Sequence, residues 1–237
     1  KSQYMMSKMQ HAGRLFGVSE QTIPLVETLY LEFLDALNQH LSEYPYLLGW
    51  KPSIGDFGLI APLYAHLGRD PAPLRIMQQR AVRVARWVER MNRADQDASE
   101  FFNPGDDYIA EDSIPETLVT LLRVLAEDLV PETRAAAEII NQWLATNQPE
   151  VGSSAQGSLA HRMFGMAEFT LRGQPISAVA QSYRFVILQK LQQQYAQLAP
   201  AQQQDVADLL QRCGLDSLLT TKLDRQLGWS ENQDIWL

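Results

Sequence analysis

The sequence is poor in cysteine and in long apolar runs. Cys213 is the single cysteine, which excludes an internal disulfide and a metal site built from several cysteines. A lone thiol fits a reducing compartment. No apolar run approaches the roughly 18–20 residues that span a bilayer, and the chain does not open with a secretory signal pattern. We therefore expect a cytoplasmic protein with no membrane partner.

Basic charge is also scarce. The chain carries 20 Lys and Arg against 28 Asp and Glu, a net charge of −8. Residues 94–237 hold most of the acidic excess, with 9 basic and 20 acidic residues, whereas residues 1–93 hold 11 and 8. An acidic chain without a basic tail is a poor candidate for nucleic-acid binding. We expect no nucleic-acid partner.

Apolar residues recur at helical spacing along most of the chain, and Pro115 and Pro131 are each predicted to open a helix. Residues 167–171 alternate instead and, together with residues 176–179, predict one small hairpin. Residues 228–237 predict a tail that docks on the surface. The pattern as a whole predicts an all-α fold: a helical bundle with additional C-terminal helices and, at most, that one hairpin.

A row of arginines, Arg80, Arg83 and Arg90, runs beside Trp87 in one predicted helix. It predicts a solvent-facing side whose aliphatic stems pack across the tryptophan. The segment 94–116 offers a second interpretation, because it holds eight acids and no Lys or Arg. Its carboxylates are candidate partners for the arginine row.

Metal ligation has little support in the sequence. Four acids in the acidic segment do not follow the spacing of a calcium loop; they are Asp106, Asp107, Glu111 and Asp112. None of the four histidines pairs with another at the spacing of helical metal ligands; they are His11, His40, His66 and His161. Cys213 sits at a predicted helix C-terminus, which disfavours the thiolate, so we expect it to be structural. We expect no metal cofactor.

The run from Pro52 to Phe57 predicts the start of a helix. Ser53 is a good N-cap, because its hydroxyl can accept from the free N–H of Asp56. The carboxylate of Asp56 can reach back to the N–H of Ser53, which completes a capping box with Asp in place of Glu. Phe57 then occupies the position that packs against Pro52 as a hydrophobic staple.

With the preceding Tyr46-Leu47-Leu48-Gly49, this run resembles the motif that opens the buried central helix in the cytosolic glutathione transferases. Residues 63–67 and 84–91 are also similar to the all-α C-terminal domain of that family. Residues 112–118 and 169–173 resemble a bacterial subgroup with a long C-terminal extension. The resemblance implies a transferase C-terminal-like helical domain at residues 1–93 and a helical extension at residues 94–237 that packs on it.

The resemblance also implies where chemistry occurs. Family members bind glutathione mainly on an N-terminal thioredoxin-like domain, which supplies the Tyr, Ser or Cys that activates the thiol. No part of this sequence reads as such a domain, so we expect no catalytic residue in it and no activity from this chain alone. Glutathione would be a co-substrate only together with that domain.

The first helix of the family's C-terminal domain lines the pocket for the apolar co-substrate. Carried onto this chain, the implied pocket residues are Tyr4, Met5, Met9, His11 and Arg14. Methionines make an adaptable apolar wall, although Met5 and Met9 could equally be core residues. Tyr4 or Arg14 could polarise a substrate, and His11 could act as a general base or be an ordinary surface residue.

Two interpretations of function follow. In the first, the chain is the helical part of a transferase-like enzyme that adds glutathione to a small apolar electrophile, or carries out a glutathione-dependent isomerisation or reduction. In the second, it is a non-catalytic binding or assembly module without glutathione activity. The family's usual assembly predicts a homodimer.

Overall fold

The computed structural model describes residues 2–93, 98–157 and 163–237. In the described ranges the first half of the chain forms five helices before residue 94 and a long sixth helix that starts at Glu116. Their bounds are α1 Ser2–Leu15, α2 Ile23–His40, α3 Ile54–Pro62, α4 Pro71–Arg80, α5 Val82–Met91 and α6 Glu116–Asn147. A π-helical turn, Leu63–Leu67, directly continues α3.

The second half adds two helices and two hairpins in the described ranges. In chain order the elements are β1 Gly165–Leu171, β2 Gln174–Ala180, α7 Tyr183–Ala196, α8 Pro200–Cys213, β3 Leu227–Ser230 and β4 Gln233–Trp236. The all-α prediction is therefore wrong: the fold is largely helical but contains two small antiparallel sheets. The reason is local, since both hairpins close through two-residue turns whose residues take positive φ, the turn geometry that matches strand twist.

The first hairpin is the one that the sequence predicts. Leu171 pairs with Gln174, so Arg172 and Gly173 form the turn, with φ values of 49° and 79°. The alternating pattern places Ala167 and Leu171 on the buried side. This hairpin therefore contributes one face to the core, as half-buried strands do.

The predicted surface tail is instead the second hairpin. Glu231 and Asn232 form its turn with φ values of 49° and 60°, and Trp236 is fully buried in the core. The loop that follows α6 joins this sheet, because the N–H of Trp236 donates to the carbonyl of Ser153 at 2.9 Å. The tail is thus an integral part of the fold, held by a tryptophan that buries a large apolar area.

Pro131 does not open a new helix, contrary to prediction, but lies inside α6. A proline removes one backbone hydrogen bond from a helix interior, and the apolar residues on both sides keep the helix continuous. Ala136 and Ile140 of α6 are fully buried. Packing of these residues outweighs the lost bond.

The chain divides into two compact units. One is Glu27–Val124, and the other, the composite unit, combines Lys1–Val26 with Leu125–Leu237. These bounds differ from the predicted domains 1–93 and 94–237, whose family assignment stays a prediction. The composite unit has a core built from α6, both hairpins and α7; its members include Ile140, Ala167, Ala180, Phe185 and Trp236.

Gly17 follows α1 and packs against the first hairpin, so a substitution at this position tests the packing of α1 on that hairpin. It has φ +83°, and a Cβ added there would lie 2.6 Å from Cγ2 of Ile176. We expect Gly17→Ala to lower the free energy of unfolding by about 2–4 kcal/mol, from left-handed strain and overpacking. Gly152 has φ +81° but open space around it, so Gly152→Ala should cost only about 1–2 kcal/mol. Equal losses in denaturant titrations would contradict this packing.

Candidate functional site

The start of α3 holds a buried carboxylate. Ser53 and Asp56 form the capping box, and Asp56 is fully buried. Its Oδ2 accepts from the backbone N–H of Ser53 at 2.8 Å and from the Ser53 hydroxyl at 2.7 Å. The carboxylate therefore satisfies a free N–H at the helix start while sitting at the positive end of the helix dipole.

Asp56 also joins two distant segments to the helix. Its Oδ1 accepts from the backbone N–H of Leu47 at 3.1 Å and from Nε1 of Trp87 at 3.1 Å. Trp87 is fully buried on α5, so its N–H needs an acceptor inside the protein. One carboxylate thus connects the loop before α3, the start of α3 and the centre of α5. Four donors converge on the Asp56 carboxylate and occupy its acceptor sites, so it has none left to offer a substrate. This indicates a structural role.

His40 lies at the end of α2 in the same unit and is also fully buried. Its Nε2 lies 3.3 Å from the carbonyl of Tyr46, and its Nδ1 lies 3.0 Å from the Thr117 hydroxyl. A carbonyl only accepts, so Nε2 carries the proton and Nδ1 of the neutral ring accepts from Thr117. Burial lowers the pKa of His40, against opposing hydrogen bonds and the charge of Asp56.

The lowered pKa of His40 makes stability depend on pH. The unfolded ring, with a pKa near about 6.5, binds a proton more readily than the folded ring, so stability is lost as pH falls below that value. We expect the free energy of unfolding to fall between about pH 7 and pH 5. In His40→Gln this slope should shrink, while in His66→Gln, a change at an exposed position, it should persist. An unchanged slope in His40→Gln would contradict the assignment.

The arginine row is not a uniform solvent-facing side. Arg90 is only 5% exposed; its Nη1 donates to Glu100 at 2.6 Å and its Nη2 to the carbonyl of Pro45 at 2.9 Å. Arg86 also pairs with Glu100, at 3.6 Å. Arg80 pairs with Asp35 of α2 instead. Among the described residues of the acidic segment, Glu100 is thus the partner of Arg86 and Arg90 on α5.

Glu100 remains ionised in this setting. Burial works to raise its pKa, but a hydrogen bond from its own backbone N–H and the bond from Arg90 outweigh burial and hold the pKa of Glu100 below its usual range. A buried guanidinium needs such a counter-charge because desolvation of an unpaired ion is costly. Arg90 and Glu100 therefore act as a structural pair.

The five predicted pocket residues all lie on α1, and all five are exposed. Tyr4, Met5 and Met9 are 70%, 54% and 62% exposed. Helix periodicity places Met5 and Met9 on one face, and His11 and Arg14 on the opposite side of the helix, so α1 does not bring the five residues together. The cavities of about 490, 370, 360 and 480 Å³ found in the chain are lined by other residues. The structure thus groups the methionines on an open face rather than in a closed pocket.

Helix α3 and its π-helical continuation expose an apolar face. From residue 54 to residue 67, Asp56 and Leu63 are the buried positions. Ile54 is 92% and Phe57 is 59% exposed, and exposed apolar patches of this kind mark surfaces that a partner covers.

Among the described residues, no three His, Cys, Asp or Glu side chains cluster closely enough to hold a metal ion. Cys213 is a buried thiol at the end of α8. His161 lies outside the described residues. In the described ranges, no helix combines the length and the apolar character that crossing a bilayer requires.

Comparison with family models, with curated proteins and with solved structures finds no match to this chain. The transferase resemblance therefore rests on the sequence motifs alone: residues 46–57, with residues 63–67, 84–91, 112–118 and 169–173.

Proposed function

We propose that this chain is the helical portion of a glutathione transferase-like protein. In this role it supplies an apolar surface for a small electrophile and supports a thioredoxin-like domain that binds glutathione. The reaction is conjugation, or a glutathione-dependent isomerisation or reduction.

The observation that carries the proposal is the apolar face that α3 exposes to solvent although its first turn is held in place. Its first turn is fixed by the buried Asp56, while Ile54 and Phe57 project an apolar surface into solvent. The resemblance implies that this helix is central and buried in family members. We infer that a further domain of the transferase-like protein packs on this exposed apolar face.

Helix α1 supports the second half of the proposal. Met5 and Met9 form an adaptable apolar face, and both are more than half exposed. Tyr4, the neighbour of Met5 in the chain, supplies a hydroxyl that could orient a polar group of the electrophile, whereas Arg14 falls on the opposite side of α1. The thioredoxin-like domain would supply the group that activates the glutathione thiol, whose thiolate is scarce at neutral pH near an ordinary pKa of about 8.5.

Retention on immobilised glutathione tests the proposal. The product of the complete coding sequence should be retained and eluted by free glutathione, whereas the 237-residue chain should pass through. The chain alone should also show no rise in its melting midpoint with millimolar glutathione, since a ligand of the native state must raise it. Failure of both proteins to bind would favour the non-catalytic module. Retention of the chain alone would place the glutathione site within these residues and overturn the proposal.

A further inference from the structure

A cavity of about 490 Å³ lies within the composite unit, between α7 and the loop that precedes β3. Phe185 and Leu188 of α7 and Leu223 of the loop give it an apolar wall. The volume falls in the range of about 300–1,000 Å³ that is typical of small-molecule sites. No residue of α1 or α3 lines it, so it is separate from the surfaces that carry the proposed function.

Side-chain amides hold the loop of this cavity in place. Gln189 of α7 donates to the carbonyl of Leu227 at 2.9 Å and accepts from the N–H of Leu227 at 3.1 Å. Asn141 of α6 donates to the carbonyl of Lys222 at 3.2 Å and accepts from the N–H of Asp224 at 2.9 Å. The shape of the loop is thus fixed by the protein itself, which spares a ligand the cost of ordering it.

Two opposite charges of the loop, Lys222 and Asp224, are the charged members of the cavity wall. In the described ranges neither side chain makes a hydrogen bond or an ion pair, whether with the other or with a third residue. The side-chain amides of Gln193 and Gln226 line the cavity in the same unbonded state. An ion of either sign would meet one like charge here, whereas a ligand that carries both charges would meet two complementary ones.

The two charges also have to be close together on the ligand. Lys222 and Asp224 are two positions apart, so their Cα atoms are separated by at most about 7 Å. An ammonium and a carboxylate on one carbon atom, as in an α-amino acid, satisfy this limit. The apolar wall then leaves room for an apolar side chain on the same carbon.

We propose that this cavity binds a zwitterionic α-amino acid with an apolar side chain. The Lys222 ammonium would donate to the carboxylate of the ligand, and the ammonium of the ligand would donate to Asp224. The ligand side chain would lie against Phe185, Leu188 and Leu223. The inference does not depend on the proposed transferase function.

An NMR titration of the 237-residue chain, followed through its amide signals at low salt, tests the proposal. The probes are L-leucine, 4-methylpentanoate, which is leucine without its ammonium, and 3-methylbutylamine, which is leucine without its carboxylate. Leucine should shift the amide signals of residues 221–226 and bind about fivefold more tightly than either single ion. Equal affinities for the three probes would show a merely apolar cavity and overturn the proposal, as would the absence of leucine-induced shifts at residues 221–226.

Removing one charge at a time assigns the two contacts. Lys222→Gln should weaken the binding of leucine and of 4-methylpentanoate about threefold and leave that of 3-methylbutylamine no weaker. Asp224→Asn should weaken leucine and 3-methylbutylamine about threefold and spare 4-methylpentanoate. Both side chains are exposed, so both variants should fold as the wild type does.

Lys190→Gln is the matched control, because Lys190 is an exposed lysine of α7 that lies outside the cavity wall. Its affinity for leucine should equal that of the wild type. A loss of affinity in Lys190→Gln as large as that in Lys222→Gln would show a general effect of net charge and overturn the assignment.

Discussion

Asp56→Ala should lower the free energy of unfolding by at least about 3 kcal/mol, because each buried polar group left without a partner costs about 1–3 kcal/mol. The change strands the N–H groups of Ser53 and Leu47 and the indole N–H of Trp87. It also removes half of the capping box. Urea titration of the chain measures the loss.

Two controls separate this effect from that of any acid at a helix start. Asp70 is the N-cap of α4 and makes no side-chain capping bond, so Asp70→Ala should change stability by no more than about 0.5 kcal/mol. Trp87→Phe removes one donor, and a cycle with Asp56→Asn should show coupling of about 0.5–3 kcal/mol. A loss in Asp56→Ala no larger than that in Asp70→Ala would contradict the role of the carboxylate.

Glu100→Ala should destabilise the chain by about 2–3 kcal/mol, somewhat below the 3–5 kcal/mol that breaking a fully buried pair costs. The Arg90 side chain is 3% exposed and the Glu100 side chain 30%, so water relieves part of the penalty. Stability is lost because the Arg90 guanidinium stays buried without its counter-charge. Denaturant midpoints at constant ionic strength measure this loss.

The exposed pair in the same unit serves as the matched control. Arg80 and Asp35 lie 2.6 Å apart, each with a side chain 49% exposed. Asp35→Ala should therefore cost no more than about 1 kcal/mol. If the two variants lose equal stability, burial does not distinguish the pairs and the structural role of Arg90 is wrong.

The sequence predicted those features that depend on neighbours in the chain. The Ser53–Asp56 spacing follows the local geometry of a helix start, and the residues at the turn of the first hairpin include Gly173, a residue suited to positive φ. The second hairpin was missed because its strands have four residues each and its turn is formed by Glu231 and Asn232, which lack a glycine signal. Pro131 misled the prediction because tertiary packing outweighed its effect on the helix.

Contacts between distant residues could not be predicted from periodicity. Asp56 and Trp87 are 31 residues apart, and nothing local indicates that the indole needs this acceptor. The pairing of Arg90 with Glu100 was open, since the acidic segment offered several carboxylates. The pocket role of the α1 residues stays a prediction, because their exposure defines a surface and not its ligand.

Steady-state kinetics of the product of the complete coding sequence test the central claim most directly, with glutathione and a chromogenic dinitrobenzene electrophile as substrates. In the variant Met5→Ser with Met9→Ser, the KM for the electrophile should rise about thirtyfold, as expected for losing two apolar contacts of roughly 1 kcal/mol each. The KM for glutathione should stay unchanged. An equal rise in both KM values, or no glutathione-dependent turnover in the wild type, would contradict the account.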